Sequence, residues 1–378
     1  MNTILETDNF TVWLEQTRNL TQLFDQNNKK EEDAFVEDNY TLLKEHKYFS
    51  AMIPEELGGG GLSYEGMCEV IKLISFHCSS TGLALSMHQH LLAAMLYRYK
   101  AGLMGDEVLK KIASQQLILV STGAGDWLES NGHLTRVEGG FLFTGQKRFA
   151  SQAAVGNILI TSGRYEESPD NISVLHFSLP MNSPGITIIK DWEALGMRGT
   201  GSHTIKLQEV FIPDTAITLK RAAGKYHPVW NIVLTVAMPL IMSAYVGVAE
   251  KAYAVALGHC RKNKTTKDTA LFLTGEINNQ LTNAQVMLKD MIRLTNEFSF
   301  KPDHSLGNAI LTRKTIAAKA CIQTVETAMQ LVGGSSYYRS FALEKLLRDV
   351  HGVNYHPLPE MSQLRFSGEY LLESGNNE

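Results

Sequence analysis

Three short segments of the chain combine hydroxyl side chains with glycines, which suits them to phosphate groups or to the polar edge of a planar ring. They are residues 121–126 (STGAGD), 145–151 (GQKRFAS) and 192–202 (WEALGMRGTGS). Glycine lets the backbone approach a ligand closely, and backbone N–H groups and hydroxyls donate hydrogen bonds to its oxygen atoms. The three segments therefore predict a site for a diphosphate or a flavin-like molecule, with an ordinary polar turn as the competing interpretation.

The segment 145–151 places an aromatic ring close to a hydroxyl. Phe149 lies two positions before Ser151, directly after a predicted strand. A ring there can stack on a planar cofactor while the hydroxyl bonds to the cofactor edge. Taken alone, the same segment is more typical of a core phenylalanine beside a surface serine. The residues themselves leave both interpretations open.

The spacing of histidines and cysteines does not predict a metal site. His88 and His90 are two positions apart, so on a helix they point to different faces. His203 and His351 belong to no HExxH-like pattern. The four cysteines show no CxxC spacing. We therefore expect neither a metal ion nor a disulfide framework.

The composition is that of a globular protein with two or three folding units. The chain has 378 residues, 44% of them hydrophobic and 20% charged, and a net charge of −4. This length can bury a large apolar core. An acidic balance without a Lys/Arg-rich run argues against nucleic-acid binding. The N-terminal residues lack the pattern of a secretion signal, so we expect a cytoplasmic protein.

Hydrophobic periodicity divides the chain into a helical part, a strand-rich part and a second helical part. Apolar residues follow helical spacing up to about residue 115, alternate as in strands from about 117 to 213, and return to helical spacing after about 225. We predict domains at residues 1–115, 116–220 and 221–378. Because no helical pattern separates the strands, an antiparallel barrel or sandwich is expected in the middle.

One run of 18 uncharged residues, 232–249, reaches the length at which a helix crosses a membrane. Pro239 lies in its middle and no basic cluster flanks it. A helix surrounded by other helices has the same composition. The run therefore predicts a buried helix and no membrane span.

The order of several motifs resembles the acyl-CoA dehydrogenase superfamily over nearly the whole chain. Residues 54–59 (PEELGG) resemble the N-terminal connection of that family, and residues 145–151 its NGxK-xWIT segment with Phe for Trp and Ser for Thr. Residues 195–202 are similar to its G-RGT-S loop. Residues 330–334 (QLVGG), followed by 344–349 (EKLLRD), resemble its Q-GG and EKL-RD motifs.

The resemblance implies a helical domain, a central β domain and a C-terminal four-helix bundle, with FAD bound between them and across a subunit interface. Carried over by position, Thr122 and Ser151 would contact the flavin and Phe149 would pack beside it. The adenosine diphosphate of an FAD held by a neighbouring subunit would meet a second set of residues, namely Gln330, Gly333, Gly334 and, as a diphosphate partner, Arg261. On their own, the two glycines are typical of a helix C-cap.

The catalytic base of the family is not at its usual position. In the dehydrogenases a glutamate removes the α-proton of an acyl thioester, but nine residues after Arg348 this chain has Pro357, and 26 residues before Arg261 it has Thr235. The nearest carboxylate is Glu360, in a segment similar to the family's EGTSQ with one residue removed. The first hypothesis is a dehydrogenase with Glu360 as a displaced base. An exposed loop charge is the competing interpretation of Glu360.

His356 supports a second hypothesis. Monooxygenases of the same family lack the glutamate and have a histidine near this point, where His356 would hold or deliver a proton beside the flavin. The commoner role of such a residue is structural. A third hypothesis is a flavin- or carrier-binding protein without turnover.

The partners follow from the first hypothesis. The substrate would be an acyl thioester of CoA or of a carrier protein, and the electrons would pass to an electron-transfer flavoprotein if the family's usual partner applies. The apolar bundle predicts a homodimer or homotetramer.

Overall fold

The protein consists of helices, then a sheet, then helices, as a computed structural model of residues 9–27, 34–122, 126–263 and 268–374 describes it. In these ranges five α-helices precede the sheet: α1 (Asn9–Asn27), α2 (Glu37–Glu45), α3 (Tyr64–His77), α4 (Ser79–Lys100) and α5 (Glu107–Gln115). Five follow it: α6 (Val229–Lys262), α7 (Asp268–Thr295), α8 (His304–Val332), α9 (Ala342–Val350) and α10 (Glu360–Ser374). The expected fold class is confirmed, whereas the domain boundaries stay predictions.

Eight strands form one sheet in the middle of the described chain. They are β1 (Leu119–Ser121), β2 (His133–Val137), β3 (Gly140–Ala150), β4 (Ile158–Ser168), β5 (Asn171–Pro180), β6 (Ile186–Ile189), β7 (His203–Pro213) and β8 (Ile217–Ala222). The strand order is β6-β7-β3-β2-β4-β5-β8, and β1 pairs with β4. The pairings are antiparallel except β1 with β4 and β2 with β4, which are parallel. Alternation within residues 117–213 predicted β1, β3, β4, β5 and β7 but not the short strands β2, β6 and β8, the last of which lies beyond the predicted range. The two parallel pairings were not predicted either, because a strand's side-chain pattern does not record its direction.

The apolar residues pack into two cores. One lies within the sheet and includes Phe143, Phe177 and Ile205. The other joins the helices before the sheet to those after it, and includes Tyr64 of α3 and Tyr245 of α6. The two helical parts of the chain are therefore packed on each other.

The apolar run is the central helix of this second core. In the described part of the chain, α6 is the one helix long and apolar enough to cross a membrane, and 89% of its most apolar window is buried inside the protein. It packs against α3, α4, α7, α8 and α9. The prediction of a buried helix is confirmed.

Gly247 marks a close contact between α6 and α3, which gives a first prediction. A Cβ at Gly247 would lie 2.3 Å from the backbone oxygen of Lys72, whereas a Cβ at Gly258 on the same helix would meet nothing within 4 Å. We expect Gly247→Ala to lower the free energy of unfolding by about 1–3 kcal/mol through overpacking. We expect Gly258→Ala to raise it by about 0.5–1 kcal/mol, because alanine favours the helix. Urea denaturation measures both, and equal effects of the two substitutions would contradict the packing argument.

Candidate functional site

The hydroxyls predicted to contact a flavin lie just after strands β1 and β3, and both are buried. Thr122 Oγ1 donates a hydrogen bond to Thr161 Oγ1 on β4 at 2.7 Å. Ser151 Oγ lies 2.7 Å from Ser202 Oγ, which in turn lies 2.7 Å from Thr200 Oγ1. The fold thus brings segments 145–151 and 192–202 together, as a single binding site requires. Residues 123–125 of the first glycine-containing segment lie outside the described residues.

Phe149 faces solvent. Its side chain is 58% exposed while Ser151 is buried, so the expectation of a core phenylalanine beside a surface serine is wrong for this segment. The cause is a register shift between β3 and β7 at residues 147–150, where Phe149 adopts a left-handed φ of 61°. The ring centroid lies 6.3 Å from that of Trp192, with the two planes nearly perpendicular. An exposed ring with an aromatic neighbour is suited to stacking on a planar ligand.

A buried ion pair fixes the segment after β1. Lys147 Nζ donates to Asp126 Oδ2 at 2.6 Å, and the two side chains are only 1% and 2% exposed. Lys147 also donates to Ser130 Oγ at 2.9 Å, and Asp126 Oδ1 accepts from the backbone N–H of Asn131 at 3.1 Å. Burial lowers the pKa of Lys147, and the charge of Asp126 opposes this effect. The pair therefore ties residues 126–131 to β3, the strand that leads to Phe149.

Arg221 of β8 holds the same segment from the other side. Its guanidinium donates to the backbone oxygens of Leu128 at 2.5 Å, Asp126 at 3.1 Å and Glu129 at 3.3 Å. Its Nε–H donates to His176 Nε2 at 2.9 Å, so this nitrogen carries no proton. Burial, aided by the positive charge of Arg221, lowers the pKa of His176 to about 4. Two buried cations thus determine the path of residues 126–129.

A cleft of about 720 Å³ opens between this segment and α10. Five of its lining side chains are rings: Trp127, Tyr226, His304, Phe366 and Tyr370. The centroid of Tyr226 lies 5.7 Å from that of Trp127, 4.7 Å from that of His304 and 5.7 Å from that of Phe366. Pro357, Leu358 and Pro359 complete one wall. The cleft is therefore a site with five aromatic side chains in its lining, next to the loop that carries the predicted catalytic residues.

Trp230 forms a second aromatic layer behind Trp127. The two indole rings stack with centroids 5.0 Å apart, and the guanidinium carbon of Arg221 lies 5.4 Å from the Trp230 ring. The Trp230 indole nitrogen is buried, and no hydrogen-bond partner for it is found in the described part of the chain. Arg221 therefore supports both the backbone and the rings on this side of the cleft.

His356 is partly buried and lies directly beside the proline-containing wall. Its Nε2 lies 2.8 Å from the hydroxyl of Tyr245 on α6. Burial, together with the charge of Lys314 and the nearby His90, lowers the pKa of His356 to about 3, so its ring is neutral at neutral pH. Lys314 donates to the backbone oxygens of His356 at 3.1 Å and Leu358 at 3.0 Å. Burial lowers the pKa of this lysine to about 8.

Glu360 lies outside this buried cluster. It is the first residue of α10 and pairs with Lys319 of α8, and both side chains are about half exposed. Among the residues that the structure describes, the buried carboxylates are Asp126 and Asp349. Asp349 accepts from the backbone N–H of Met197 at 2.6 Å and from Lys345 at 2.5 Å. Both buried carboxylates are thus committed to ion pairs and backbone hydrogen bonds.

The residues predicted to meet a neighbouring subunit's cofactor are all exposed. Arg261 lies in the last turn of α6, and Gln330 lies near the end of α8. Gly333, with φ 75°, caps that helix, as the C-cap interpretation expected, and Gly334 follows it. Their surface position leaves them accessible to a second subunit, and their roles stay predictions.

Sequence reasoning missed Tyr245, Lys314, Arg221 and the role of Lys147. One of them had a visible signal: Lys314 continues the apolar stripe of α8 formed by residues such as Ile310 and Ala317, where a charged residue needs a specific partner. The others gave none, because their partners lie far away in sequence. Among the described residues no group of three His, Cys, Asp or Glu side chains is placed to hold a metal ion.

Two family models match the chain. Residues 18–116 match the acyl-CoA dehydrogenase N-terminal domain, and residues 240–359 match the acyl-CoA dehydrogenase C-terminal domain. Together they cover more than half of the sequence, on both sides of the sheet.

Relatives of different activity share the fold. The chain is 24% identical over 341 residues to the amino sugar nitrososynthase DnmZ of Streptomyces peucetius, covering 84% of this chain and 82% of that protein. It is 23% identical over 328 residues to the human mitochondrial short-chain specific acyl-CoA dehydrogenase, and the match covers 84% of this chain and 79% of that protein. The structure of KijD3 in complex with FMN and a dTDP-linked amino-keto sugar superposes on this chain with a TM-score of 0.87 at 22% identity. The superposition covers 97% of this chain and 95% of KijD3.

The buried ion pair gives a second prediction. Lys147→Met leaves the Asp126 carboxylate buried without its cation, so we expect the free energy of unfolding to fall by about 3–5 kcal/mol. Lys147→Met combined with Asp126→Asn removes both charges and should restore part of this loss. As a control, Lys220→Met breaks an exposed pair with Glu167 and should not change stability measurably. Urea denaturation compares the three variants, and a similar loss in Lys147→Met and Lys220→Met would refute the argument.

The buried histidines give a third prediction. Burial lowers the pKa of His88, His90 and His176 to about 4, while each would have a pKa near 6.5 in the unfolded chain. Between these values the unfolded state binds more protons, so stability is complete above about pH 6.5 and falls as the pH drops toward 4. Each histidine contributes a slope of up to about 1.4 kcal/mol per pH unit. Urea denaturation at pH 7, 6 and 5 should show this decline, and His176→Gln should reduce its slope.

Proposed function

Because the chain belongs to the acyl-CoA dehydrogenase superfamily, a superfamily of flavoenzymes, we propose that it is a flavin-dependent monooxygenase. The family resemblance of the sequence is thereby confirmed. Within the family, removal of an α-proton requires a carboxylate base in a water-excluded site. Monooxygenation instead requires a group that holds or delivers a proton near the flavin.

The observation that carries the proposal is a partly buried, neutral His356 that is hydrogen-bonded to Tyr245, one residue before the position at which the dehydrogenases have their carboxylate. His356 precedes Pro357, the residue at the usual position of the base, and its wall of the cleft contains no carboxylate. Asp126 and Asp349 are engaged elsewhere, and Glu360 forms an exposed ion pair. Glu369 and Glu373 line the far side of the cleft on α10 and are open to water.

The hydroxyls and the exposed ring fit a flavin. Ser151, with Thr200 and Ser202 behind it, offers a connected set of hydroxyls for the polar edge of the ring system, Thr122 offers another, and Phe149 offers a stacking surface. When bound, reduced flavin supplies the electrons for activating dioxygen. We propose FMN in place of the FAD expected from the sequence for two reasons. KijD3 is in complex with FMN. Residues 261–266 (RKNKTT) stand where the FAD-binding members of the family have an R-xxFG segment after the corresponding helix.

His356 would act at the ring nitrogen that faces Tyr245. Burial raises the pKa of Tyr245 well above its ordinary value, so the phenol keeps its proton at neutral pH. Depending on the imidazole tautomer, the hydroxyl donates to Nε2 or accepts from it. The pair can therefore hold a proton in the apolar interior and pass it on without forming a stable charge there.

A dehydrogenase acting on an acyl thioester is the second candidate. The motif at residues 344–349, with its Glu344–Arg348 and Lys345–Asp349 ion pairs, follows the dehydrogenase pattern. In this case Glu360 would have to leave Lys319 and turn into the cleft, and an electron-transfer flavoprotein would accept the electrons.

The incorporation of oxygen into a product tests the proposal and gives a fourth prediction. With FMN reduced by NADH through an added flavin reductase, we expect ¹⁸O from ¹⁸O₂ to appear in products of a panel of thioether, amine and indole probes, measured by mass spectrometry. His356→Asn should lower this incorporation by about 100-fold or more, while Glu360→Gln should leave it unchanged.

The opposite result is equally specific. Anaerobic bleaching of FAD-loaded protein by butyryl-, isovaleryl- or octanoyl-CoA, abolished in Glu360→Gln, would establish the dehydrogenase. Failure to bind either flavin would refute both candidates.

A further inference from the structure

We propose that the cleft between residues 126–128 and α10 binds a planar aromatic molecule that carries no negative charge, and that this molecule is the substrate. Only the second half of this statement rests on the proposed function. The binding itself follows from the rings, the charges and the size of the cleft.

The walls of the cleft match a flat apolar ring. The Tyr226 ring is in contact with Trp127, His304 and Phe366, and His304 stacks on Phe366 with the planes 25° apart. Aromatic rings attract one another at these separations beyond the gain from burying apolar surface. The volume of about 720 Å³ lies within the range of small-molecule sites.

The charged side chains that line the cleft disfavour the binding of anions. Its charged lining residues are Arg365, Glu369 and Glu373. Arg365 already pairs with Glu369, with Nε and Oε1 2.7 Å apart, which leaves a net negative charge. The polyphosphate part of CoA would be repelled by this rim, whereas a neutral ring would not be.

The cleft also brings its ligand to the catalytic segment. Its wall of Pro357 and Leu358 directly follows His356, and Lys314 holds the backbone of this segment through two hydrogen bonds. A ring that lies against Pro357 is therefore one residue along the chain from His356, the residue proposed to handle the proton.

One ring system at three charges tests the inference. The probes are 2-naphthol, 2-naphthylmethylamine and 2-naphthalenesulfonate, with CoA as a fourth, and calorimetry measures their Kd for the full chain with and without FMN. We expect the alcohol and the amine to bind at least about fivefold more tightly than the sulfonate. This is the effect on Kd of about one unscreened repulsion between two unit charges at close range in water. CoA should not displace 2-naphthol.

Matched variants locate the site. Phe366→Ala should raise the Kd of 2-naphthol about tenfold. Phe272→Ala, which removes a 78% exposed ring on α7, should leave this Kd unchanged. Glu373→Gln leaves the Arg365–Glu369 pair in place, removes the excess negative charge of the lining, and should bring the sulfonate to the affinity of the alcohol. Tightest binding by the sulfonate or CoA, or an equal effect of Phe366→Ala and Phe272→Ala, would overturn the inference.

The binding assay is independent of turnover. If the naphthalenes bind as expected but no ¹⁸O is incorporated, the monooxygenase proposal fails and the aromatic site stands. If oxygen is incorporated into other probes and no naphthalene binds, the aromatic site fails and the reaction stands.

Discussion

The Lys147–Asp126 ion pair is the constraint on which the candidate site depends. A buried ion pair gains little net stability, because removing two charges from water costs about as much as their attraction returns. Its effect is positional: Asp126 must stay where Lys147 can reach it, and Arg221 binds the backbone of the same turn. Trp127 therefore faces the cleft with little freedom. The pair therefore contributes more to the shape of the site than to net stability.

The residues proposed for the site come from different parts of the fold. The hydroxyls and Phe149 lie in or directly after strands of the sheet, whereas Tyr245 lies on α6 and Lys314 on α8. Helix α6 is almost entirely apolar because it is surrounded by helices, and its few polar side chains, such as Asn231, Thr235 and Ser243, bond within the protein.

Local patterns predicted the elements, and long-range contacts determined the site. The buried helix predicted for residues 232–249 is observed inside α6, because an uncharged apolar run is a local signal. The exposure of Phe149 and Ser151 was inverted by a bulge that depends on the register with β7. Tyr245 and His356, separated by 111 positions, meet only in the folded protein. A single sequence records none of these pairings, so it could name His356 as a candidate but not identify its partner.

The position of Lys314 bears on the chemistry proposed for His356. Its ammonium group holds the backbone at His356 and Leu358, on either side of the position where the dehydrogenases have their base. A carboxylate at position 357 would lie close to this cation and would form an ion pair with it. The pairing would lower the pKa of the carboxylate and weaken it as a base. A neutral imidazole does not attract the lysine in this way, so the lysine remains free to hold the segment in place. The same buried cation thus favours a histidine over a glutamate beside the cleft.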